Sequence, residues 1–207
     1  MGAKSGRFQP RKNPSQHRAR LTRDRILAAA AQVFASHGYA AGTTDRIAAA
    51  ARISIGSLYQ YFPNKDAVLL ALSQAHLEAA TDAIRAVLAE AGEDWLDGVI
   101  AAVIDGHAAN PRLHKVLFDE APRTPELLDR LRAAESAIAA TIAERLRGDG
   151  RFDVEDPDEA ADLVVATVES LTHHFVARDP DGFDAATTQQ RISELLTRHL
   201  RPAPPPS

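Results

Sequence analysis

Apolar residues recur along most of this chain three and four positions apart, the spacing of one face of an α-helix, and the pattern is punctuated at Gly, Pro, Asn and Asp positions. The first stripe, Ile26, Leu27, Ala30, Val33 and Phe34, predicts a helix that begins at Thr22 and is closed by Gly38 after His37. Two shorter stripes follow between Thr43 and Lys65. Thr44 is expected to cap a helix that buries Ile47, Ala48 and Ala51; Arg52-Ile53-Ser54 then makes a turn, and Ser54 caps a helix from Ile55 to Tyr61. Leu58 and Phe62 lie four apart and share its inner side, while Pro63 prevents a longer run. So short a hairpin buries little by itself, so the first helix must lie across it.

Longer stripes occupy the remainder. Asn64 is placed to cap a helix with Asp66 in its first turn, running through Val68, Leu69, Leu72, Leu77, Ile84 and Leu88 until Gly92. The next starts at Glu93-Asp94 and contains Trp95, Leu96, Val99, Ile100, Val103 and Ile104; Asn110-Pro111 ends it and opens a short helix to Phe118. Thr124-Pro125-Glu126 supplies a cap, a proline at the first helical position and an acid near the positive end of the dipole, for a helix running to Arg147 with Gly148 as its stop. Asp156-Pro157-Asp158-Glu159 begins a helix with Ala161, Val164, Val165, Val168, Leu171 and Phe175 on one side, and Ile192, Leu195, Leu196 and Leu200 line the last one. Residues 1–20, rich in Gly, Pro, Ser and Arg/Lys, are expected to be a disordered basic arm, and the Pro-rich residues 202–207 a disordered tail.

With 207 residues, 45% of them hydrophobic, the chain has room for one generous domain or a small and a larger one. Abundant alanine and scarce β-branched runs point to an all-α protein, here divided as 21–66 and 67–201. Absence of cysteine excludes disulfides, thiolate zinc sites and cysteine catalysis. No apolar leader and no run of about 18 apolar residues is visible, so a soluble cytoplasmic protein without a membrane partner is expected. Charge changes the picture more: residues 1–65 carry eleven Lys/Arg against two acidic residues, a net +9, and residues 66–207 carry thirteen against twenty-six, a net −13. A basic head on an acidic body would turn its N-terminal end toward a polyanion. A solvated charged face is the plainer alternative, but it leaves unexplained why the positive charge coincides with the hairpin.

The second hairpin helix has the chemistry of a recognition helix. Gly56 and Ser57 allow close approach of backbone to a groove wall, Tyr59 and Tyr61 can donate to phosphates, Gln60 can address a base edge or phosphate, and Lys65 adds a cation. A hairpin whose tyrosines merely pack against neighbours fits the same spacing. From Arg23 to about Leu70 the chain resembles the DNA-binding domain of the tetracycline-repressor (TetR) family. The resemblance is carried by Phe34, Gly38-Tyr39, Thr43-Thr44, Ile47-Ala48 and Ser54-x-Gly56-Ser57-Leu58-Tyr59-x-Tyr61-Phe62-x-x-Lys65.

That resemblance implies an N-terminal three-helix helix-turn-helix DNA-binding domain followed by a helical-bundle ligand-binding and dimerisation domain. It implies that Thr44, Tyr59, Tyr61 and Lys65 anchor phosphates, and that Ile55, Gly56 and Ser57 lie nearest the bases. Two positions depart from the family pattern. Arg52 stands where the turn usually has Gly, so it must adopt a left-handed conformation or a different turn, and it becomes a candidate phosphate contact. Ile55 stands where a polar residue is common and could meet a thymine methyl but not hydrogen-bond a base. A sequence-specific repressor is implied, binding double-stranded palindromic operator DNA as a homodimer and released by a small-molecule effector. Its two C-terminal helices would pair through Val164, Val168, Phe175, Ile192 and Leu196, although both stripes could equally be core, and an apolar effector cavity would be bordered by Trp95, His114, Phe118, Leu171 and His174.

Catalysis finds no support in the pattern. His107, His114 and His173-His174 are accompanied by no HExxH, ExxH or carboxylate pair, and neither a phosphate-binding Gly-rich loop nor a nucleophile elbow occurs. No catalytic residue, cofactor or metal site is expected, and the histidines are taken as surface or satisfied pocket residues. A helical scaffold that binds other proteins through its body is the reading from a different class.

Overall fold

The computed structural model describes residues 14–90 and 92–200. These form nine α-helices and their connections, with no strand among the described residues, and divide into two compact units between Val68 and Leu69.

The first unit comprises α1 (Pro14–Ala41), α2 (Thr44–Ala50), α3 (Ile55–Tyr59) and the opening turn of α4 (Lys65–Glu90). Helix α1 begins at Pro14 instead of Thr22, so residues 14–20 are helical and not part of a disordered arm. Proline is tolerated in a first turn, Gln16, Arg18, Ala19 and Arg20 are good helix formers, and the packed segment from Ile26 is a nucleus that they extend. Residues 16–20 are exposed, which is why no apolar stripe announces them. The first thirteen residues of the expected arm, and the expected tail at 202–207, lie outside the described residues.

At Gly38 (φ +70°) α1 breaks, and one further turn carries the chain to Ala41. Gly42 then crosses the Phe34 ring so closely that a Cβ there would sit 2.5 Å from the ring and 2.9 Å from the Gly38 carbonyl oxygen. The cap of α2 is Thr43, not Thr44: its extended backbone (φ −82°, ψ 156°) lets its hydroxyl accept from the Arg46 N–H at 3.3 Å. Arg52 takes the left-handed turn (φ +54°), a conformation that costs an L-residue roughly 1–2 kcal/mol. Ser54 caps α3 as expected, accepting from the Ser57 N–H at 3.1 Å, but regular helix stops at Tyr59, short of the expected Tyr61. Ile26, Phe34, Ile47 and Leu58 are each 0% exposed and hold α1, α2 and α3 together.

The second unit contains the rest of α4 and α5 (Trp95–Ala108), α6 (Pro111–Glu120), α7 (Pro125–Gly148), α8 (Pro157–Arg178) and α9 (Ala185–Leu200). Local chemistry sets most starts: Asn64, Asn110, Thr124, Asp156 and Asp184 each accept from a backbone N–H of the turn that follows, and Pro111, Pro125 and Pro157 occupy first-turn positions. Its core is filled unevenly. Trp95, Ile100 and Ile104 of α5, Ile142 and Leu146 of α7, Ala161 and Val164 of α8, and Ile192, Leu196 and Leu200 of α9 join Ile84 and Leu88 of α4 in one continuous cluster. The far ends of these helices, around α6, leave a hollow.

Trp95 anchors the filled end. Its indole N–H donates to Asp149 Oδ2 (3.0 Å), whose carboxylate is also gripped by Arg151 (Nε to Oδ1 2.9 Å, Nη2 to Oδ2 2.7 Å). The Arg151 hydrogen bond and then, against partial burial, that of Trp95 hold the Asp149 carboxyl well below the usual carboxylate range.

Gly42→Ala is expected to lower stability by about 1–3 kcal/mol, because backbone as well as the Phe34 ring must move to admit the methyl; a denaturant midpoint equal to that of the natural chain would contradict this packing. Asp149→Asn keeps an acceptor for the indole and removes the charge. Since the folded pKa lies below the unfolded value, the stabilisation is present above pH ~4 and is lost as pH falls further. The variant should therefore be less stable by about 1 kcal/mol at neutral pH, with a difference that narrows in urea titrations below pH ~4.

Candidate functional site

The hairpin places its polar side chains at the surface. Tyr59 is 51% and Ile55 36% exposed, Gln60 and Arg52 are exposed, and Thr44, Ser57 and Tyr61 are half-buried. The Thr44 and Tyr59 hydroxyls meet at 3.2 Å, which unites two of the expected phosphate anchors on adjoining helices. Ser57 is engaged at home, its hydroxyl 2.8 Å from that of Ser54. Lys65 is tied down more than its sequence position suggests: its ammonium donates to the Tyr39 carbonyl at 2.9 Å and lies 4.0 Å over the Tyr39 ring. Tyr39 in turn hydrogen-bonds the Asp66 carboxylate. A lysine held in this way presents a fixed charge.

Gly56 is informative because the fold does not need it. Its φ is ordinary, and an added Cβ would find only the Ser54 hydroxyl, 4.0 Å away. Glycine within a helix costs about 0.5–1 kcal/mol relative to alanine. Nothing inside the unit repays that cost, so the bare backbone is suited to something approaching from outside. Arg46, exposed on α2 beside this surface, is a cation that the spacing argument overlooked.

The hollow in the second unit is a cavity of about 560 Å³ between α4, α5, α6, α7 and α8. Of the residues expected there, His114, Phe118 and His174 line it. Trp95 does not, being 2% exposed in the filled end, and Leu171 packs against the apolar cluster. Ser73, His76, Leu77, His107, Leu131, Glu135, Glu169 and His173 line it as well. His76 and the two glutamates were missed because they belong to three helices far apart in sequence. Within α8, Glu169 and His173 sit four apart, one helical turn, which was the available signal.

Four imidazoles crowd one wall. His114 Nδ1 lies 3.2 Å from His76 Nε2, and His114 Nε2 lies 2.8 Å from His173 Nδ1. His173 Nε2 is 3.4 Å from the Glu169 carboxylate, and Phe118 stacks on the His173 ring at 4.0 Å. His107 hydrogen-bonds the Val103 carbonyl through Nδ1 at 2.6 Å, while its buried Nε2 has no hydrogen-bond partner among the described residues. Burial, followed by neighbouring charges, lowers His107 to about 4 and His114 to about 2. Burial likewise lowers His76. His76, His107 and His114 are therefore held toward the neutral form. Burial pushes Glu169 up, but the His173 hydrogen bond and the nearby imidazoles outweigh it and keep the carboxyl ionised; Glu135 is pushed up by burial and then by Glu169. The histidines expected at the surface or satisfied in a pocket do line this one, and His107, His114 and His173 face one another there, with ligand nitrogens within 4.8 Å.

The expected pairing residues are also relocated. Val164 and Ile192 are 0%, Leu196 1% and Val168 2% exposed, all inside the chain's own core, so they have no surface to offer a second copy. Phe175 is half-buried. The large exposed apolar residues on α8 and α9 are Leu163 (43%) and Leu195 (50%), each one position before a buried one. Apolar periodicity marked the sides that turn inward, Val164 and Val168 on α8 and Ile192 and Leu196 on α9, and left open whether they meet this chain's own core or a second copy.

No helix among the described residues is long and apolar enough to cross a membrane. Residues 26–72 match the profile of bacterial regulatory proteins of the tetR family, and residues 93–200 match that of the tetracyclin repressor-like C-terminal domain. The HTH-type transcriptional repressor SCO4008 of Streptomyces coelicolor is 33% identical over 150 residues, covering 71% of this chain and 74% of its own. The HTH-type transcriptional regulator UidR of Escherichia coli K12 is 26% identical over 165 residues, covering 78% and 83%. Among solved structures, the fatty acid degradation regulator FadR from Bacillus halodurans superposes with a TM-score of 0.66 at 27% identity, over 86% of this chain and 99% of that one. With a basic helix-turn-helix unit ahead of a helical bundle, and with matches across both, the chain belongs to the tetR family of bacterial DNA-binding transcriptional regulators.

Proposed function

We propose that the chain is a homodimeric repressor that reads a palindromic operator with α3 and is released when a small molecule occupies the hollow of its second unit. The observation that carries the DNA-binding half is the surface of α3, where Gly56 lies bare beside exposed Ile55, Tyr59 and Gln60 and the Thr44–Tyr59 hydroxyl pair flanks it. Hydroxyls and cations at the flanks would fix the helix on phosphates, and the small N-terminal residues would let it descend to base edges. Ile55 would contribute apolar contact with a thymine methyl.

Two-fold pairing would set two such helices about one duplex turn apart, matching a palindrome. Leu163 and Leu195 support a pairing surface on the outer faces of α8 and α9. Helix α4 begins in the first unit and continues into the second, where it contributes Ser73, His76 and Leu77 to the hollow. A ligand that binds better to a body conformation unfit for DNA lowers operator affinity by its differential affinity for the two states.

Gel shifts with DNA from upstream of its own operon, at several salt concentrations, test the reading. A specific complex that survives competitor DNA and weakens with added salt is expected; weak, sequence-independent binding throughout would overturn it. In the same assay Gly56→Ala should weaken operator binding at least about tenfold, while raising the stability of the unbound chain by about 0.5–1 kcal/mol. Equal DNA affinity would show that the bare backbone has no part in contact. Leu195→Glu should raise the dimer dissociation constant more than about 100-fold, because a two-fold interface receives the substitution twice and facing like charges cost several kcal/mol. Sedimentation equilibrium reads this directly, and an unchanged dimer would place the interface elsewhere.

A further inference from the structure

The wall of imidazoles differs from an ordinary buried hydrogen-bond network in one respect: His107 is 3% exposed and its Nε2 has no hydrogen-bond partner among the described residues. The Val103 carbonyl can only accept, so the His107 proton resides on Nδ1 and Nε2 points a lone pair into the cluster. The Glu169 carboxylate oxygen 3.9 Å away is also an acceptor and is beyond hydrogen-bond reach. Two acceptors therefore face each other at the wall of the cavity, an arrangement that a cation relieves.

We propose that His107 Nε2, His114 Nε2 and His173 Nδ1 form a binding site for a first-row divalent transition-metal ion, with an open position toward the cavity. Imidazole nitrogens without thiolates suit zinc, nickel, cobalt or copper rather than calcium or magnesium. Each ligand ring already has a partner for its other nitrogen, as metal-bound histidines do. His107 Nδ1 holds the Val103 carbonyl at 2.6 Å, His173 Nε2 faces Glu169 at 3.4 Å, and His114 Nδ1 faces His76 Nε2 at 3.2 Å. His114 and His76 change tautomer together: the His114 proton moves from Nε2, where it serves His173, to Nδ1, and the His76 proton moves from Nε2 to Nδ1, so that His76 Nε2 accepts from His114. The three nitrogens lie within 4.8 Å of one another, with His114 and His173 at 2.8 Å. A tetrahedral ion at about 2.0–2.1 Å from each ligand needs them about 3.3–3.4 Å apart, which side-chain rotation within a cavity can supply.

Charge favours a cation over an anionic headgroup. Glu169 and Glu135 face the same hollow from α8 and α7. The fourth position, opening on about 560 Å³ lined partly by Leu77, Leu117 and Leu131, could take water or an oxygen of an organic ligand. That the ion controls operator affinity rests on the reading of this hollow as the effector site; that it binds does not.

The untagged full chain, stripped with chelator, is titrated with Co(II) and then Zn(II). One equivalent of Co(II) is expected to give the intense visible bands of a tetrahedral site, and Zn(II) to displace it. His107→Ala and His173→Ala should each lose more than about 100-fold in affinity, and Glu169→Gln about 10–100-fold as an outer partner. His199→Ala, on α9, should change nothing. Circular dichroism of the metal-free variants confirms that they fold, and the natural chain's own Co(II) spectrum needs no variant at all. Only weak octahedral bands, or an affinity equal in the natural chain and the folded His173→Ala variant, would overturn the site. Tight binding with unchanged operator affinity would keep the site and overturn its regulatory role.

Discussion

Polar groups taken out of water need partners, and in this chain that requirement divides the second unit into two ends. Where α5, α7, α8 and α9 meet through Ile100, Ile142, Val164, Ile192 and Leu196, apolar side chains satisfy one another and leave no space. Where α4, α6 and the far ends of α5, α7 and α8 meet, His76, His107, His114, Glu135, Glu169 and His173 turn inward among apolar residues such as Leu77, Leu117 and Leu131, and the helices stand apart around a cavity. The filled end supplies the stability, about 25 cal/mol for each Å² of apolar surface removed from water. The hollow end is then free to be specialised, because its helices are already held by their other halves.

The first unit uses the same division at smaller scale. Phe34, Ile47 and Leu58 lock three helices together, so α3 can expose Ile55, Tyr59 and Gln60 and spend a glycine at position 56. Arg52 in the left-handed region adds a local cost that the packed hairpin absorbs. In both units the proposed binding surfaces rest on positions that the fold would not choose for its own sake, Gly56 and Arg52 in one and the buried imidazoles in the other.

Much of this was legible in the sequence because helix ends have local causes. Ser54, Asn64, Thr124 and Asp156 all cap the helices their positions suggested, since a side-chain cap reaches only the next two or three backbone N–H groups. Thr43 and Thr44 show the limit: two adjacent cap-forming residues differ only in backbone angle, and the close passage of Gly42 over Phe34 governs where the chain enters α2. What a helical face meets is less legible than where a helix runs. The stripes through Val164 and Leu196 suit a second copy as well as a core, and only the packed bundle shows them inside this chain's own core. The pocket was half visible for a related reason: His114, Phe118 and His174 stood out as unusual residues, whereas the wall they share with His76 and Glu169 depends on helices separated by dozens of residues.

Paired reading heads are the centre of the account, and hydroxyl-radical footprinting of the full chain on operator DNA tests them most directly. Two protected patches on one face of the duplex, centred about one helical turn apart and related by a two-fold axis, are predicted. A single patch, or protection that follows no sequence and no symmetry, would contradict it.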